Sequence, residues 1–369
     1  MESPPRLLLT SPLDVLAAVP YLLGFHPEES LVVIGLAGGP PRGRLRVTTR
    51  WDLPLDRDAA DRLLALLRRE EADRIIIAGY GAGPLVTPAV DEVRRTARAA
   101  GITVIEALRV EDGRFWSYVC TSPGCCPAEG TPYDPCASQV PAQAAFHGMV
   151  ALPDRKALED SVAACSGEAR RAMRAATDTV VAETLARLHA RRDGDALAGE
   201  FVADGLSRVR RAIAASAARS PLCDAEAARL GVALHVIRVR DEAWTLMSDD
   251  DLDAHLALWA DLTRRLEPRF LPPAASLLAM AAWRCGDCAL AGVALQRALE
   301  ADPGYSMANL LAHALRSMLS PAALRERMPT PADLDAAMGR PRMSWLRPVL
   351  TLLQAEYDAV MRRPDRERR

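Results

Sequence analysis

The sequence predicts an α/β domain with a mixed, partly parallel sheet, followed by an all-α domain of helical hairpins. Three observations predict this class. Short apolar runs alternate with amphipathic helical patterns up to about residue 119, and strand signals stop beyond Pro153. Residues 118–136 hold four of the eight cysteines among prolines and glycines, a composition that fits neither helix nor inner strand and marks a constrained loop. The second half carries only helical periodicity. The expected organisation is an α/β domain over 1–153, an all-helical domain over 154–345, and a terminal helix with a charged tail over 346–369.

Ser11-Pro12 reads as a helix cap with Pro in the first turn, and Leu13, Leu16, Ala17 and Leu23 form the apolar stripe. Gly24 stops this helix, and Pro20 is expected to end or kink its last turn. Leu31–Leu36 is a continuous apolar run that fits a buried strand, and Leu45–Trp51 alternates as its hairpin partner across a Gly/Pro turn at 38–43. An amphipathic helix covers 57–71, a third strand Arg74–Ala78, and Thr87-Pro88 caps a helix running to Gly101. Ile102–Ile105 is a fourth strand, so 74–105 forms a parallel strand–helix–strand unit. Residues 107–110 and 114–119 flank an Asp112-Gly113 hairpin signal.

In the second half, helices are expected over 155–192 with a possible break at Gly167, over 195–218, from Asp224 to Val239, from the acidic run Asp249–Asp251 to Leu266, and over 345–361. Gly286-Asp287, Ala291, Ala298-Leu299 and Asp302-Pro303 fall at the offsets of a tetratricopeptide repeat, which 272–305 resembles. Ser306–Met318 then reads as the first helix of a following unit.

The run Ser11-Pro-Leu-Asp-Val-Leu-Ala-Ala-Val-Pro-Tyr-Leu-Leu-Gly-Phe-His-Pro-Glu-Glu-Ser-Leu-Val-Val-Ile-Gly35 resembles the opening of an uncharacterised actinobacterial family, domain of unknown function 4192. Cys125-Cys-Pro-Ala-Glu-Gly130, Trp283-Arg-Cys-Gly-Asp287 and Asp302-Pro-Gly-Tyr305 resemble its other signatures. The resemblance implies a shared architecture and no activity.

Half of the 369 residues are apolar and a quarter charged, as in a soluble globular protein. A net charge of −2 supplies no basic field, and the arginine clusters at 68–74, 94–98, 170–174 and 208–211 are interspersed with acids, so nucleic acid is not the expected partner. No apolar run approaches the ~20 residues of a membrane span, and the start lacks a signal-peptide pattern. The expected setting is the cytoplasm, where thiols stay reduced. Lys156 is the only lysine and follows no glycine-rich loop, which excludes a P-loop, and no nucleophile-elbow, zincin or EF-hand pattern occurs.

Two sets of site residues stand out. Cys120, Cys125, Cys126 and Cys136, with His147 near in sequence, offer soft donors for zinc, but their spacing is not that of a paired C-x-x-C knuckle. The favoured reading is small buried residues pinning the loop; zinc and a reactive thiol remain alternatives. Gly79, Gly81 and Gly83 follow a strand, with Glu106 expected at the end of the next, in the order of a dinucleotide fingerprint, although Pro84 departs from it. A plain turn is favoured there. Cys285 and Cys288 read as packing, His26, Glu28 and Glu29 as a solvated loop, and Asp241 and Glu242 as cap and surface charges.

The function expected from these features is binding or scaffolding of a protein or peptide through a helical-repeat surface and the seam between domains. An enzyme or nucleotide-like ligand sensor with its pocket at that seam is the alternative.

Overall fold

Ser11 starts the first helix, α1 (Pro12–Leu23), by accepting a hydrogen bond from the Asp14 amide at 3.1 Å, and Gly24 closes it with φ 81°. Pro20 does not interrupt this helix; it lies within it, buried. The computed structural model describes residues 9–39, 43–122, 124–190, 194–319 and 328–362. The middle of the expected Gly/Pro turn (40–42) and the charged tail from 363 lie outside the described residues. The chain divides into two compact units, Met1–Leu158 and Glu159–Arg369, with the division falling inside a short helix, α5 (Arg155–Ser161).

In the first unit six strands form one sheet in the order β2-β1-β3-β4-β5-β6. These are β1 (Ser30–Ala37), β2 (Arg44–Asp52), β3 (Arg74–Tyr80), β4 (Thr103–Glu111), β5 (Arg114–Ser117) and β6 (Thr131–Pro132). Only β3 and β4 pair in parallel, joined through α3 (Gly83–Ala99); the other neighbours are antiparallel. The sheet is therefore mixed, as the sequence predicts. Alternate residues of β1 and β3 face opposite ways, as strand geometry requires. Leu31, Val33, Ile75 and Ile77 pack with Leu63 and Leu67 of α2 (Ala59–Arg69) and with Val86, Val90 and Val93 of α3. Val32, Ile34, Ile76 and Ala78 pack with Val15, Leu16 and Val19 of α1. On that side Ala17 and Ala18 also meet Val140 of α4 (Val140–Phe146).

Two boundaries differ from expectation. Helix α3 begins at Gly83 rather than Thr87; Ala82 before it supplies no side-chain cap, and the start is marked only by Pro84 in the first turn. Strand β4 is continuous from Thr103 to Glu111, which puts Glu106 inside a strand and not at its end.

The second unit is helical throughout its described residues: α6 (Gly167–His189), α7 (Gly194–Ala217), α8 (Asp224–Ala233), α9 (Ile237–Thr245), α10 (Leu252–Arg265), α11 (Leu271–Arg284), α12 (Cys288–Ala301), α13 (Ser306–Arg316), α14 (Pro331–Met338) and α15 (Met343–Arg362). The expected helix from Asp224 to Val239 is two helices, because Leu234–Val236 turn the chain between α8 and α9. Every residue of α11 from Leu271 to Trp283 is buried, and α12, α10 and α13 pack around it. Alanine at five of those positions lets neighbouring backbones come close, which the alanine-rich composition requires. The terminal helix α15 packs on α6 and α7 and so belongs to the helical unit.

Glu242 is not a surface charge. Its side chain is fully buried and is bound by Arg238 at 2.8 Å and by Arg210 from α7; Arg238, 6% exposed, also holds Asp335 of α14 at 2.9 Å. A carboxylate without solvent is tolerated only where cations and hydrogen bonds replace its water. Glu242→Ala leaves the buried Arg238 short of its main partner and is expected to lower unfolding stability by about 3–5 kcal/mol in urea titration. Arg210→Ala, at a side chain 59% exposed, is expected to cost clearly less. Equal losses in the two variants would show that the pair is not a buried ion network.

Candidate metal centre

The cysteine loop is built out from the β4–β5 hairpin. Asp112 and Gly113 turn that hairpin with φ of 47° and 71°, the two left-handed residues a tight two-residue turn needs. The resulting register sets Arg109 opposite Trp116 and Leu108 opposite Ser117. The Arg109 guanidinium lies 3.8 Å from the Trp116 ring centre and bonds to Glu111, a cation–π contact that holds the indole flat. Trp116 Nε1 donates to the Ala128 carbonyl at 3.0 Å, and Arg114 donates to the Gly130 carbonyl at 2.9 Å. Gly130 has φ 82°, and a Cβ there would sit 2.5 Å from the indole, so glycine is required twice over. Thr131 and Pro132 then pair with β5 and return the chain to the sheet.

Ser117 fixes the other end. Its hydroxyl donates to Glu106 at 2.8 Å and accepts from the amides of Val119 (3.1 Å) and Cys120 (3.0 Å). The Ser122 carbonyl accepts from both the Cys125 amide (3.2 Å) and the Cys126 amide (2.8 Å), which folds the second half of the loop back on the first. Three sulfurs converge as a result. Cys120 Sγ and Cys125 Sγ are 2.9 Å apart, Cys125 Sγ and Cys126 Sγ 3.8 Å, and all three lie within 4.8 Å of one another. Zinc–sulfur bonds of about 2.3 Å at tetrahedral angles set sulfurs about 3.75 Å apart, so an ion fits once the closer pair opens by about 0.9 Å. Among the described residues no fourth Cys, His, Asp or Glu joins the group. Cys136 is exposed outside it, its amide bound to Asp134, and His147 is exposed on the far side of α4 in sequence. The thiols are not small buried residues as the sequence suggested: Cys125 is exposed and Cys120 and Cys126 are half-buried.

Hydrogen bonds to the Cys125 thiol, the Ser122 backbone and the Cys126 thiol hold the Cys120 thiol below its ordinary pKa. The bond to Cys120, with desolvation added, pushes Cys126 up to about 12. Cys120 therefore loses its proton at lower pH than Cys126.

A model of the family described as "Domain of unknown function (DUF4192)" matches residues 12–322. The chain belongs to that family. No curated protein and no solved structure matches it. The span shared with DUF4192 contains the whole thiol loop, Trp116, Ser117 and Gly130.

The glycine loop of this DUF4192 chain is occupied by its own side chains. A Cβ at Gly79 would collide with Val86 of α3, and one at Gly83 would meet the Arg109 guanidinium at 2.9 Å. Gly81 adopts φ 126° and donates its amide to the Val110 carbonyl at 2.9 Å. Glu106 pairs with Ile76 while Gly79 pairs with Arg109, so the acid lies three residues along the strand, about 10 Å from the glycines. The structure thus does not bring Glu106 to Gly79, Gly81 and Gly83; it brings Glu106, through Ser117, to the cysteines. Cys285 and Cys288 are exposed rather than packed, and desolvation of their sulfurs at the helix junction pushes each up to about 11, which keeps them as thiols at neutral pH. His26, Glu28 and Glu29 are exposed. Trp116, Ser117 and Gly130 carried no site signal in the sequence beyond the adjacent Asp-Gly turn that sets their register.

Because the thiolate is the reactive form, a lowered pKa brings reactivity in at lower pH and a raised one delays it. Raising pH stepwise from neutral, iodoacetamide is expected to modify Cys120 well before Cys126, read by mass spectrometry of the peptides. Coincident pH profiles would contradict the assigned hydrogen bonding.

Proposed function

We propose that this protein is a binding protein whose α/β unit captures a thiophilic metal ion of the Zn²⁺ class through Cys120, Cys125 and Cys126. The observation that carries the reading is the convergence of three sulfurs within 4.8 Å on an accessible loop. Thiolates select zinc and other soft ions over magnesium or calcium, and three of them leave a position for a lighter donor such as water. Glu106 and Ser117 act behind the ligands, fixing the Cys120 backbone.

The helical unit serves in this reading as the surface for a protein or peptide partner. Gly286, with φ 84°, and Asp287, which caps α12 by accepting from the Leu290 amide at 2.8 Å, support a tetratricopeptide-like reading of the α11–α12 hairpin. Leu310 of α13, 71% exposed, supports a docking role. The setting is the cytoplasm, where thiolates persist. No helix of the described residues is long and apolar enough to cross a membrane.

Protein purified under reducing conditions, loaded with zinc and desalted, is expected to hold one zinc per chain by elemental analysis. Joint replacement of the three cysteines by serine is expected to abolish the zinc, and Cys136→Ser to leave it. Ser117→Ala is expected to weaken zinc affinity about 10-fold or more in competition with a chelating dye. A wild-type chain that retains no zinc overturns the metal reading.

A further inference from the structure

The two nearest sulfurs of the cluster do more than face a shared ion. We propose that Cys120 and Cys125 are a site of oxidative modification, closing to a disulfide when a hydroperoxide reaches the loop and releasing the metal ion as they do so. The release rests on the metal reading above; the disulfide itself does not.

Geometry selects this pair. Their sulfurs are 2.9 Å apart, and a disulfide bond is about 2.05 Å, so side-chain rotation of under about 1 Å closes the gap. Cys126 lies farther from Cys125, at 3.8 Å, and is bonded to it in sequence, where a ring through adjacent residues strains the peptide between them. Cys136 stands outside the cluster. The backbone on both sides of the pair is already fixed, at Cys120 by Ser117 and at Cys125 by Ser122, so closing the bond orders little further chain. Cys125 is open to solvent, which gives a small oxidant access.

The chemistry balances with the hydroperoxide as the two-electron oxidant. One thiolate of the pair attacks the peroxide oxygen, the O–O bond breaks, and a sulfenic acid and hydroxide form. The second sulfur then attacks the sulfenic sulfur and displaces its oxygen as water, its own proton being lost on the way. Two thiols and one hydrogen peroxide thus become one disulfide and two waters. A disulfide sulfur is no longer a thiolate, so only Cys126 would still hold the ion, and one thiolate does not retain it.

The test treats the zinc-loaded full chain with one equivalent of hydrogen peroxide. Released zinc is followed with an indicator dye, free thiols are blocked with iodoacetamide, and oxidised ones are then reduced and labelled with N-ethylmaleimide. Mass spectrometry is expected to find maleimide at Cys120 and Cys125, iodoacetamide label at Cys126 and Cys136, and the zinc lost; dithiothreitol should restore zinc binding. Cys126→Ser should still oxidise at Cys120 and Cys125. If the chain holds no zinc but the same two residues take maleimide, the metal reading fails and the modification site stands. Maleimide at Cys126 or Cys136 instead, or a zinc-loaded chain whose thiols all remain free, overturns the proposal. The wild-type labelling pattern alone decides this, without dependence on the folding of any variant.

Discussion

The contact between Trp116 and the bare α-carbon of Gly130 is the constraint on which the loop depends. The indole is held from the sheet by Arg109 at 3.8 Å and from the loop by the Ala128 carbonyl at 3.0 Å, and no side chain at 130 leaves room for it. A loop of nineteen residues, 118–136, would otherwise keep most of its conformational freedom, at a cost of the order of 1–2 kcal/mol for each residue ordered. Here the return strand β6 and the tryptophan divide that cost between two anchors. The thiols need only the short turn around Ser122 to meet. The sheet thus supplies the rigidity and the loop the chemistry, the usual division between scaffold and functional connection.

In the same region one set of side chains both fills the glycine positions and braces the cysteine loop. Gly79 within β3 and Gly83 at the start of α3 provide space, and Val86 and Arg109 fill it. The acid that would have held a ribose in a dinucleotide site accepts instead from Ser117 and steadies Cys120. Three sulfurs in contact at the surface bring in little apolar burial and, as thiolates, would repel each other. Packing alone gives no reason to gather them, whereas a divalent cation does.

Much of the fold was legible in the residues. Leu31–Leu36 and Arg74–Ala78 are apolar runs too short for helices, and both are buried strands. Asp112-Gly113 marked the hairpin that positions the site. Helix starts without a capping side chain were harder to read: Thr87-Pro88 looks like a cap, but α3 begins at Gly83 after the uncapped Ala82, with only Pro84 in the first turn to mark it. Glu242 read as solvated because an i,i+4 pair with Arg238 looks the same on an exposed helix face, and the partners that mark that pair as buried, Arg210 and Asp335, come from other helices. The thiol convergence was hidden for a related reason. A spacing of four residues and then none does not match a paired knuckle, and the sulfurs meet through one shared carbonyl acceptor, at Ser122, which side-chain spacing does not encode.

The proposed site sets three protein sulfurs on a loop at the edge of a mixed sheet and leaves a fourth position for a lighter ligand. X-ray absorption at the zinc edge of the loaded, reduced protein measures that directly. The account predicts about three sulfur neighbours at about 2.3 Å and one nitrogen or oxygen neighbour nearer 2.0–2.2 Å. A first shell of nitrogen and oxygen alone would contradict it.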